Sequence, residues 1–194
     1  PRTGLWENVD PMEVAHIDVF RRDPVRFWGF YGDRFHTLDD REPNGAHRAL
    51  VELERRGLLD GVITQNIDRL HRKAGTRELV EVHGTIDHSS CLSCGAQYPL
   101  DEVKERLEAD CIHGGRPLNP DVVLFGELLP EGAMERAFEL AASADVLLCI
   151  GSSLEVHPIA QLPGLTKRGG GAVAIITQGA TPFDRHADVR LGGD

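Results

Sequence analysis

The chain has 194 residues, of which 41% are hydrophobic and 27% charged, and its formal net charge is −10. This length supports one hydrophobic core with a small appendage, and the composition is typical of a globular domain rather than of a disordered or membrane protein. The acidic balance argues against a nucleic-acid partner, because phosphate binding requires a basic face. No apolar run approaches the ~20 residues that span a bilayer, so a membrane partner is not expected either.

Residues 1–45 are predicted to form a helical module. Within it, 11–40 carries aromatic side chains at helical spacing, which are more typical of core packing than of ligand binding. These are Phe20, Phe27, Phe30 and Tyr31. Tyr31 and Arg34 lie three residues apart and therefore share one face of the predicted helix. Arg34 could present its forked donors to a carboxylate, or it could be a surface arginine that packs on Tyr31 or pairs with an acidic residue such as Asp39.

Residues 46–88 are predicted to be the first part of a Rossmann-like domain. Asn44 is a candidate N-cap for a helix with an apolar stripe of alanine and leucine. Short apolar runs at 62–64 and 79–82 predict buried strands, with a short helix between them at 67–73.

Polar side chains follow both of these strands. Gln65, Asn66 and Asp68 come directly after the first strand, and His83 comes after the second. Open parallel sheets bind their ligands at the carboxyl ends of strands. Asn66 and Asp68 could instead cap the helix that begins near Ile67, and a lone histidine at a strand end is more often structural than catalytic. The spacing of His83 after an Asn-x-Asp cluster favours a role in proton transfer.

Residues 89–120 are predicted to form a small zinc-binding module, since three of the four cysteines lie here and the segment is too small to bury its own core. Cys91 and Cys94 have the spacing of a zinc-ligand pair, and Cys111 with His113 would complete a tetrahedral Cys3His set. Such zinc would be structural, because four protein ligands leave no position for water. The alternative is that one ligand has been lost and the module packs without metal.

Residues 121–194 are predicted to be the second part of the Rossmann-like domain. Strands are expected at 122–124, 146–150 and 172–176, and a helix at 131–143. The last two strands are apolar without alternation, as expected when both faces of a parallel sheet are covered. The fold class is therefore α/β, a Rossmann-like parallel sheet with a helical module and a zinc-binding module.

A Gly-Ser-Ser turn, residues Gly151, Ser152 and Ser153, follows the strand at 146–150. Such a turn can supply N–H and hydroxyl donors for a phosphate or a ribose. Cys149, inside the same apolar strand, is expected to be a buried and inert thiol. A Cys-x-x-Cys pair together with an apolar lone cysteine suits a reducing compartment, so we expect a cytoplasmic protein. We also expect a monomer.

Six motifs occur in order along the chain: TQNIDRLH at 64–71, VHG at 82–84, CLSC at 91–94, VVLFGELLP at 122–130, GSSLEVHP at 151–158 and ATPFD at 180–184. They resemble the motifs of the sirtuins, which are NAD-dependent protein lysine deacylases. The resemblance covers nearly the whole chain. It implies NAD as co-substrate and acyl-lysine proteins or peptides as partners.

The resemblance also implies the chemistry of the first polar cluster. In sirtuins the acyl-lysine carbonyl oxygen attacks C1′ of the nicotinamide ribose as nicotinamide leaves, and a histidine then acts as general base on a ribose hydroxyl. His83 matches that base. Gln65, Asn66, Ile67 and Asp68 match the segment that holds the ribose, the nicotinamide pocket and a nearby water. The implied products are free lysine, nicotinamide and 2′-O-acyl-ADP-ribose.

Other ligand-binding residues follow from the same resemblance. The Gly-Ser-Ser turn matches the family's NAD-binding turn, and a second segment matches its adenosine side, where threonine replaces the common asparagine. The second segment is Thr177, Gln178 and Gly179. The family has a second cysteine pair, of which this chain keeps the first member as Cys111 and has His113 at the position of the second.

The resemblance further predicts a peptide cleft in which the substrate lies as an added strand. The matching residues are Val123, Phe125, Gly126 and Glu127, with Phe125 lining the acyl-lysine tunnel, although Val123 and its neighbour Leu124 could be ordinary sheet core. Sirtuins that remove succinyl and malonyl groups have Tyr-x-x-Arg where this chain has Tyr31 and Arg34. Acetyl-lysine and acidic acyl-lysines both remain open as substrates.

Sirtuins carry a first strand and a glycine-rich phosphate loop before the GLW at 4–6, so we expect this chain to lack them. This motivates a rival interpretation, an inactive chain that only binds acyl-peptide or NAD. A second rival is protein ADP-ribosyltransferase activity, which uses the same ribose chemistry with another nucleophile. A third is a dehydrogenase with a zinc lobe, against which no GxGxxG occurs in the 194 residues.

Overall fold

The computed structural model describes residues 11–104, 110 and 117–193. The chain divides into two compact units, Pro1–Pro130 and Glu131–Asp194. Among the described residues, no helix has the length and apolar character that crossing a membrane requires.

The described part of the first unit begins with three helices, over the region predicted to be helical. They are α1 (Pro11–Val14), α2 (Ile17–Arg22) and α3 (Pro24–Asp39). The carboxylate of Asp23 accepts a hydrogen bond from the Arg26 N–H at 2.9 Å, and a proline follows it, which are the usual signals of a helix start. The aromatic rings of α2 and α3 pack against one another, with the Phe20 and Phe27 ring centroids 5.2 Å apart, and within α3 the Phe27 and Tyr31 centroids are 4.5 Å apart. The prediction that these rings form core is confirmed for Phe20, Phe27 and Tyr31, which are all buried.

Helix α4 (Gly45–Arg55) begins at the predicted N-cap. The Asn44 Oδ1 atom accepts from the Ala46 and His47 N–H groups at 2.9 and 3.2 Å. Near the other end of α4, the Glu54 carboxylate accepts from the backbone N–H groups of Arg77 and Glu78. These bonds tie the helix to the segment that enters the second strand.

Two short strands form a parallel pair, β1 (Val62–Thr64) and β2 (Leu79–Glu81). Helix α5 (Leu70–Ala74) connects them. Val62 pairs with Leu79 and Thr64 with Glu81, so the carboxyl ends of the two strands lie side by side. Strand β1 has its predicted bounds, β2 ends one residue earlier than predicted, and α5 begins at Leu70 rather than at 67.

The first unit ends in an antiparallel sheet of order β4-β3-β5. Its elements are β3 (Gly84–Cys91), β4 (Gln97–Pro99), helix α6 (Leu100–Lys104) and β5 (Leu118–Val122). The Trp28 indole donates a hydrogen bond to the Leu118 carbonyl at 2.9 Å, which ties α3 to β5. The strand predicted at 122–124 was therefore placed too late, since β5 ends at Val122.

The second unit is a parallel sheet of order β6-β7-β8 with helices. Its elements are α7 (Glu131–Ser143), β6 (Val146–Ile150), α8 (Leu162–Arg168), β7 (Ala172–Ile176) and β8 (Val189–Leu191), with 3-10 turns at Ile159–Gln161 and Asp184–His186. The predicted bounds of α7, β6 and β7 are confirmed.

The prediction that both faces of this sheet are covered is wrong. Val173 and Ile175 on one face are fully buried. On the opposite face, Val146, Leu148 and Ile150 are 63%, 41% and 45% exposed. A continuous apolar run shows that a strand avoids polar side chains on both faces, but it does not show that an element packs on each of them.

Candidate active site

The loop after β1 is organised by short side-chain contacts. The Asn66 N–H donates to the Thr64 hydroxyl at 3.1 Å, and the Leu70 N–H donates to the Asp68 carboxylate at 3.0 Å. Asp68 thus accepts the first N–H of α5 from one residue before the N-cap, Arg69, which makes no side-chain cap bond itself. Asn66 lies four residues before α5 and its side chain is exposed, which leaves the amide directed to the surface of the loop.

His83 follows β2 by two residues and is half-buried. Its Nδ1 atom lies 3.0 Å from the Gln65 carbonyl oxygen. Because a carbonyl oxygen only accepts hydrogen bonds, Nδ1 carries the proton in this contact and Nε2 of the neutral ring keeps its lone pair. The arrangement joins the residue after β1 to the residue after β2 and leaves a nitrogen that can accept a proton.

The backbone around His83 is fixed as tightly as its ring. The Val123 N–H donates to the His83 carbonyl at 2.8 Å, and the Val82 N–H donates to the Thr64 carbonyl at 3.1 Å. Gly84 has φ +74°, and a Cβ added there would lie 2.1 Å from the Asp121 carbonyl oxygen. Only glycine allows the chain to turn this closely beside β5.

The Cys91–Cys94 motif forms a tight turn at the end of β3. The Cys91 N–H donates to the Ala96 carbonyl, and the Gly95 N–H donates back to the Cys91 carbonyl, both at 2.8 Å. Cys91 is buried and Cys94 is exposed. Such a turn brings two cysteines of one Cys-x-x-Cys pair to the same end of a hairpin, which suits a tetrahedral metal.

The other two predicted zinc ligands, Cys111 and His113, lie outside the described residues. The described residues on either side of them, Asp110 and Pro117, form an antiparallel bridge, and the adjacent Leu118 pairs with Cys91. The chain thus leaves and returns beside the first cysteine. Within the described part of the chain there is no group of three or more potential metal ligands.

The segment after β5 is already paired through its backbone. The Phe125 N–H donates to the Ala15 carbonyl at 2.8 Å, and the Phe125 carbonyl accepts from the Ile17 N–H at 2.9 Å. The Glu127 carboxylate accepts from the Leu124 N–H at 2.9 Å. The Phe125 ring is 49% exposed, whereas Leu124 is buried, so the sheet-core assignment holds for Leu124.

Gly126 and Val123 complete this predicted substrate segment. Gly126 has φ +87°, and a Cβ there would lie 2.8 Å from the His16 ring. Val123 is half-buried. A peptide strand added here has to use backbone groups other than those of Phe125.

Tyr31 and Arg34 do share a helix face, but they make different contacts. Tyr31 is in the aromatic core, and burial raises its pKa above the ordinary range of a phenol. The Arg34 Nη1 atom donates to the Phe30 carbonyl at 2.7 Å, and the guanidinium lies 3.3 Å from the Phe30 ring centroid. The Arg34 Nε atom is buried with no hydrogen-bond partner among the described residues. Because this donor is buried, a ligand cannot reach it while Arg34 keeps this conformation.

In the second unit, the Gly-Ser-Ser turn follows β6. Gly151 has φ +64° and its N–H donates to the Ile176 carbonyl at 2.8 Å. The Ser152 hydroxyl accepts from the Leu154 N–H at 3.2 Å, and Ser153 is exposed. Cys149 is partly buried, and burial raises its pKa to about 11, in agreement with the predicted inert thiol.

The segment Thr177-Gln178-Gly179 follows β7, and the Thr177 N–H donates to the Leu191 carbonyl at 3.2 Å. Gln178 and Gly179 are exposed. Both polar segments of this unit therefore lie at the carboxyl ends of neighbouring parallel strands, where an α/β sheet presents donors to a nucleotide.

The residues that hold the first polar loop from outside could not be found from the sequence. Arg69 has φ +65° and contacts Asp39 and Asp87, which lie 30 residues before and 18 residues after it. No local sequence pattern predicts a contact between residues so far apart in the chain. A non-glycine residue in a left-handed conformation is visible only in the structure.

The two units thus present polar residues at the ends of parallel strands, and the first places a proton acceptor there, which defines a ligand-binding α/β protein. A family model described as "Sir2 family" matches residues 1–158. The chain belongs to the Sir2 family.

Relatives and solved structures agree with this assignment. The chain is 44% identical over 202 residues to an NAD-dependent protein deacylase of Thermococcus sibiricus, covering 99% of this chain and 78% of that protein. It is 44% identical to an NAD-dependent protein deacetylase of Caldivirga maquilingensis, covering 97% and 74%. A Sir2 structure with a p53 peptide and NAD+ has a TM-score of 0.90 at 38% identity, covering 93% and 77%. A Sir2 structure with a propionylated peptide has a TM-score of 0.91 at 37% identity, covering 96% and 81%.

Proposed function

We propose that this chain catalyses NAD-dependent removal of acyl groups from protein lysines, releasing nicotinamide and 2′-O-acyl-ADP-ribose. The observation that carries the proposal is the His83 ring, whose Nδ1 contact with Gln65 leaves Nε2 as a proton acceptor beside the Asn66–Asp68 loop. The names of the relatives support it, since they are NAD-dependent protein deacylases and deacetylases. So do the peptide-bound structures, which contain acetylated and propionylated peptides.

The residues of the first unit are proposed to have different roles in the reaction. NAD supplies the ribose carbon that receives the acyl oxygen. His83 Nε2 takes the proton of a ribose hydroxyl, which is the usual task of a histidine near neutral pH. Asp68 and the amides of Gln65 and Asn66 would stabilise the ribose carbon as it becomes positively charged, since a carboxylate and oriented dipoles favour positive charge. Ile67 lies between them and contributes its carbonyl to the packing of the loop.

The residues of the second unit are proposed to hold the rest of NAD. The turn at Gly151–Ser153 offers backbone and hydroxyl donors to a ribose or phosphate, and the segment at Thr177–Gly179 offers polar groups to the adenosine. Both follow parallel strands, as such nucleotide sites do.

Mass spectrometry of matched acetyl-lysine and succinyl-lysine peptides with NAD tests the function. We expect loss of acyl mass together with O-acyl-ADP-ribose. His83→Asn should abolish both products, while the matched variant His36→Asn, at an exposed histidine of α3, should keep them. Mass added to a protein target would instead identify an ADP-ribosyltransferase, and binding without turnover would identify an inactive binding module.

We propose that succinyl preference depends on Arg34, because a forked guanidinium suits a carboxylate; to bind one, Arg34 would have to leave its contacts with Phe30. If Arg34 has this role, Arg34→Ala should lower desuccinylation and spare deacetylation. The exposed Arg48 of α4 provides the control substitution. Equal losses on both peptides would assign Arg34 to the packing of α3. Acetyl-lysine is the default substrate, with Val123, Phe125, Gly126 and Glu127 proposed as the peptide cleft.

A structural zinc ion is proposed at Cys91, Cys94, Cys111 and His113. The closed turn at Cys91 and the bridge at Asp110–Pro117 support it, because they bring the ends of both ligand segments together. Metal analysis of the purified protein should find one zinc per chain in the wild type and in Cys149→Ser. Cys91→Ser should lose the metal, and a folded wild type without zinc would refute the ligand set.

A further inference from the structure

Arg69 has an unusual backbone conformation at the junction between the polar loop and α5. It follows Asp68 directly, precedes α5, and has φ +65° and ψ +2°. Only Arg69 and Leu154 combine a positive φ with a side chain among the described residues. A left-handed conformation is unfavourable for a residue with a Cβ, and it persists only where its surroundings impose it.

Two carboxylates impose this conformation from separate elements. The Arg69 Nη1 atom lies 2.6 Å from Asp39 Oδ1, at the last residue of α3. The Nε side of the guanidinium lies against Asp87 of β3 as an ion pair, without the alignment of a hydrogen bond. The three side chains are 27%, 17% and 12% exposed, so water screens these pairs less than pairs on an open surface.

Neighbouring residues extend the same set of contacts. Lys73 Nζ lies 3.5 Å from Asp39 Oδ1, and Arg72 Nε lies 3.3 Å from Asp87 Oδ2. Arg72 also pairs with Glu81, at the end of β2. The helix that follows the polar loop is therefore tied to α3, β2 and β3 at once.

The loop is also attached to β3 through its backbone. Its Ile67 carbonyl accepts from the Ile86 N–H at 3.3 Å, and Asp87 is the next residue along β3. The contact between Arg69 and Asp87 therefore connects the same two segments as this hydrogen bond. These segments carry Asp68 on one side and begin one residue after His83 on the other.

We propose that Arg69 is a positioning residue: its contacts with Asp39 and Asp87 hold the left-handed turn, and the turn places Asn66 and Asp68 for the ribose of NAD. The inference rests on the proposed function. Arg69 does not contact the reacting atoms; it acts through the loop that does.

Arg69→Gly separates the backbone from the charge, because glycine adopts φ +65° without penalty while both ion pairs are lost. We expect a melting temperature close to that of the wild type. The KM for NAD should rise and kcat should fall, while the KM for acyl-peptide stays constant, with a combined loss of about 10- to 100-fold because misplacement by ~1 Å can cost that much. Arg69→Lys, which keeps a charge but not the fork, should recover part of the loss. Arg56→Gly, at an exposed ion pair of α4, is the control.

Hydrogen exchange of the protein alone provides a measurement that does not depend on turnover. In Arg69→Gly, amides of residues 65–70 should exchange about tenfold faster than in the wild type, with α4 unchanged. Asp87→Asn, which removes one carboxylate charge at constant volume, should show the same change to a smaller degree. Wild-type exchange rates in the loop of Arg69→Gly, or an unchanged KM for NAD, would overturn the inference. If the wild type itself has no turnover, the proposed function fails while the exchange measurement still decides the role of Arg69.

Discussion

Gly84→Ala tests the close approach beside His83. The substitution places a methyl group 2.1 Å from the Asp121 carbonyl oxygen and keeps a side chain at φ +74°. The left-handed conformation costs about 1–2 kcal/mol. Relief of the overlap requires β3 to move away from β5, which breaks the hydrogen bond between Val123 N–H and the His83 carbonyl and costs about 1 kcal/mol more. The expected loss of stability is about 2–3 kcal/mol.

Thermal denaturation followed by circular dichroism measures this loss. A chain of this size loses about 2–4 °C in Tm per kcal/mol, so a loss of about 3 kcal/mol lowers Tm by about 6–12 °C. Gly29→Ala is the matched control, because Gly29 lies in α3 with no atom within 4 Å of the added Cβ. The control should be as stable as the wild type or more stable by about 0.5–1 kcal/mol, since alanine favours a helix interior.

Turnover completes the test, because the same displacement moves His83. Gly84→Ala should lose deacylation below its Tm, and Gly29→Ala should keep it. If Gly84→Ala melts with the wild type, β3 and β5 do not approach each other as closely as the structure shows, and the argument that glycine is required beside His83 is refuted.

Two further predictions concern buried polar groups. Thr166→Val removes the hydroxyl that donates to the Ala141 carbonyl at 2.6 Å, and it should cost about 1–3 kcal/mol in urea denaturation because the buried acceptor is left unpaired, whereas Thr166→Ser should cost less. Burial, and secondarily the nearby His47, lowers the pKa of His71 in the folded chain, so the folded state binds fewer protons at mildly acidic pH than the unfolded state. The contribution of His71 to the free energy of unfolding should therefore be fully present above about pH 6.5. It should be lost as the pH falls from there through the lowered pKa of the folded state. His71→Gln should flatten this dependence and His36→Gln should not; identical pH profiles for all three proteins would contradict the assignment.

Strand prediction succeeded where the apolar run was uninterrupted and failed where a proline stood inside it. β1, β6 and β7 consist of apolar and β-branched residues bounded by glycine or polar residues, so local pattern and tertiary structure agree. β5 contains Asn119 and Pro120, which read as a turn, yet Leu118 is fully buried. Proline is tolerated there because, in the part of the chain that the structure describes, β5 is at the edge of its sheet and pairs with β3 alone.

The candidate site was predictable to the extent that it follows strand ends. Gln65 and His83 could be placed together because parallel strands align their carboxyl ends. The residues that hold the loop could not, since Asp39 is brought to Arg69 by tertiary packing alone. The same holds for Tyr31 and Arg34: helical spacing predicts a shared face, but the position of each side chain depends on the aromatic core that surrounds it.

Strand β3 connects the residue after His83 to the cysteine turn. It begins at Gly84, beside the histidine, and ends at Cys91, where the cysteine turn starts. At about 3.3 Å per residue, these two ends are about 20 Å apart. Its middle carries Ile86 and Asp87, which contact the polar loop. One strand therefore contacts the polar loop at its middle and carries the cysteine turn at its end. If the proposed zinc binds there, its removal by chelation, or oxidation of the cysteines, should be transmitted along β3 to the polar loop.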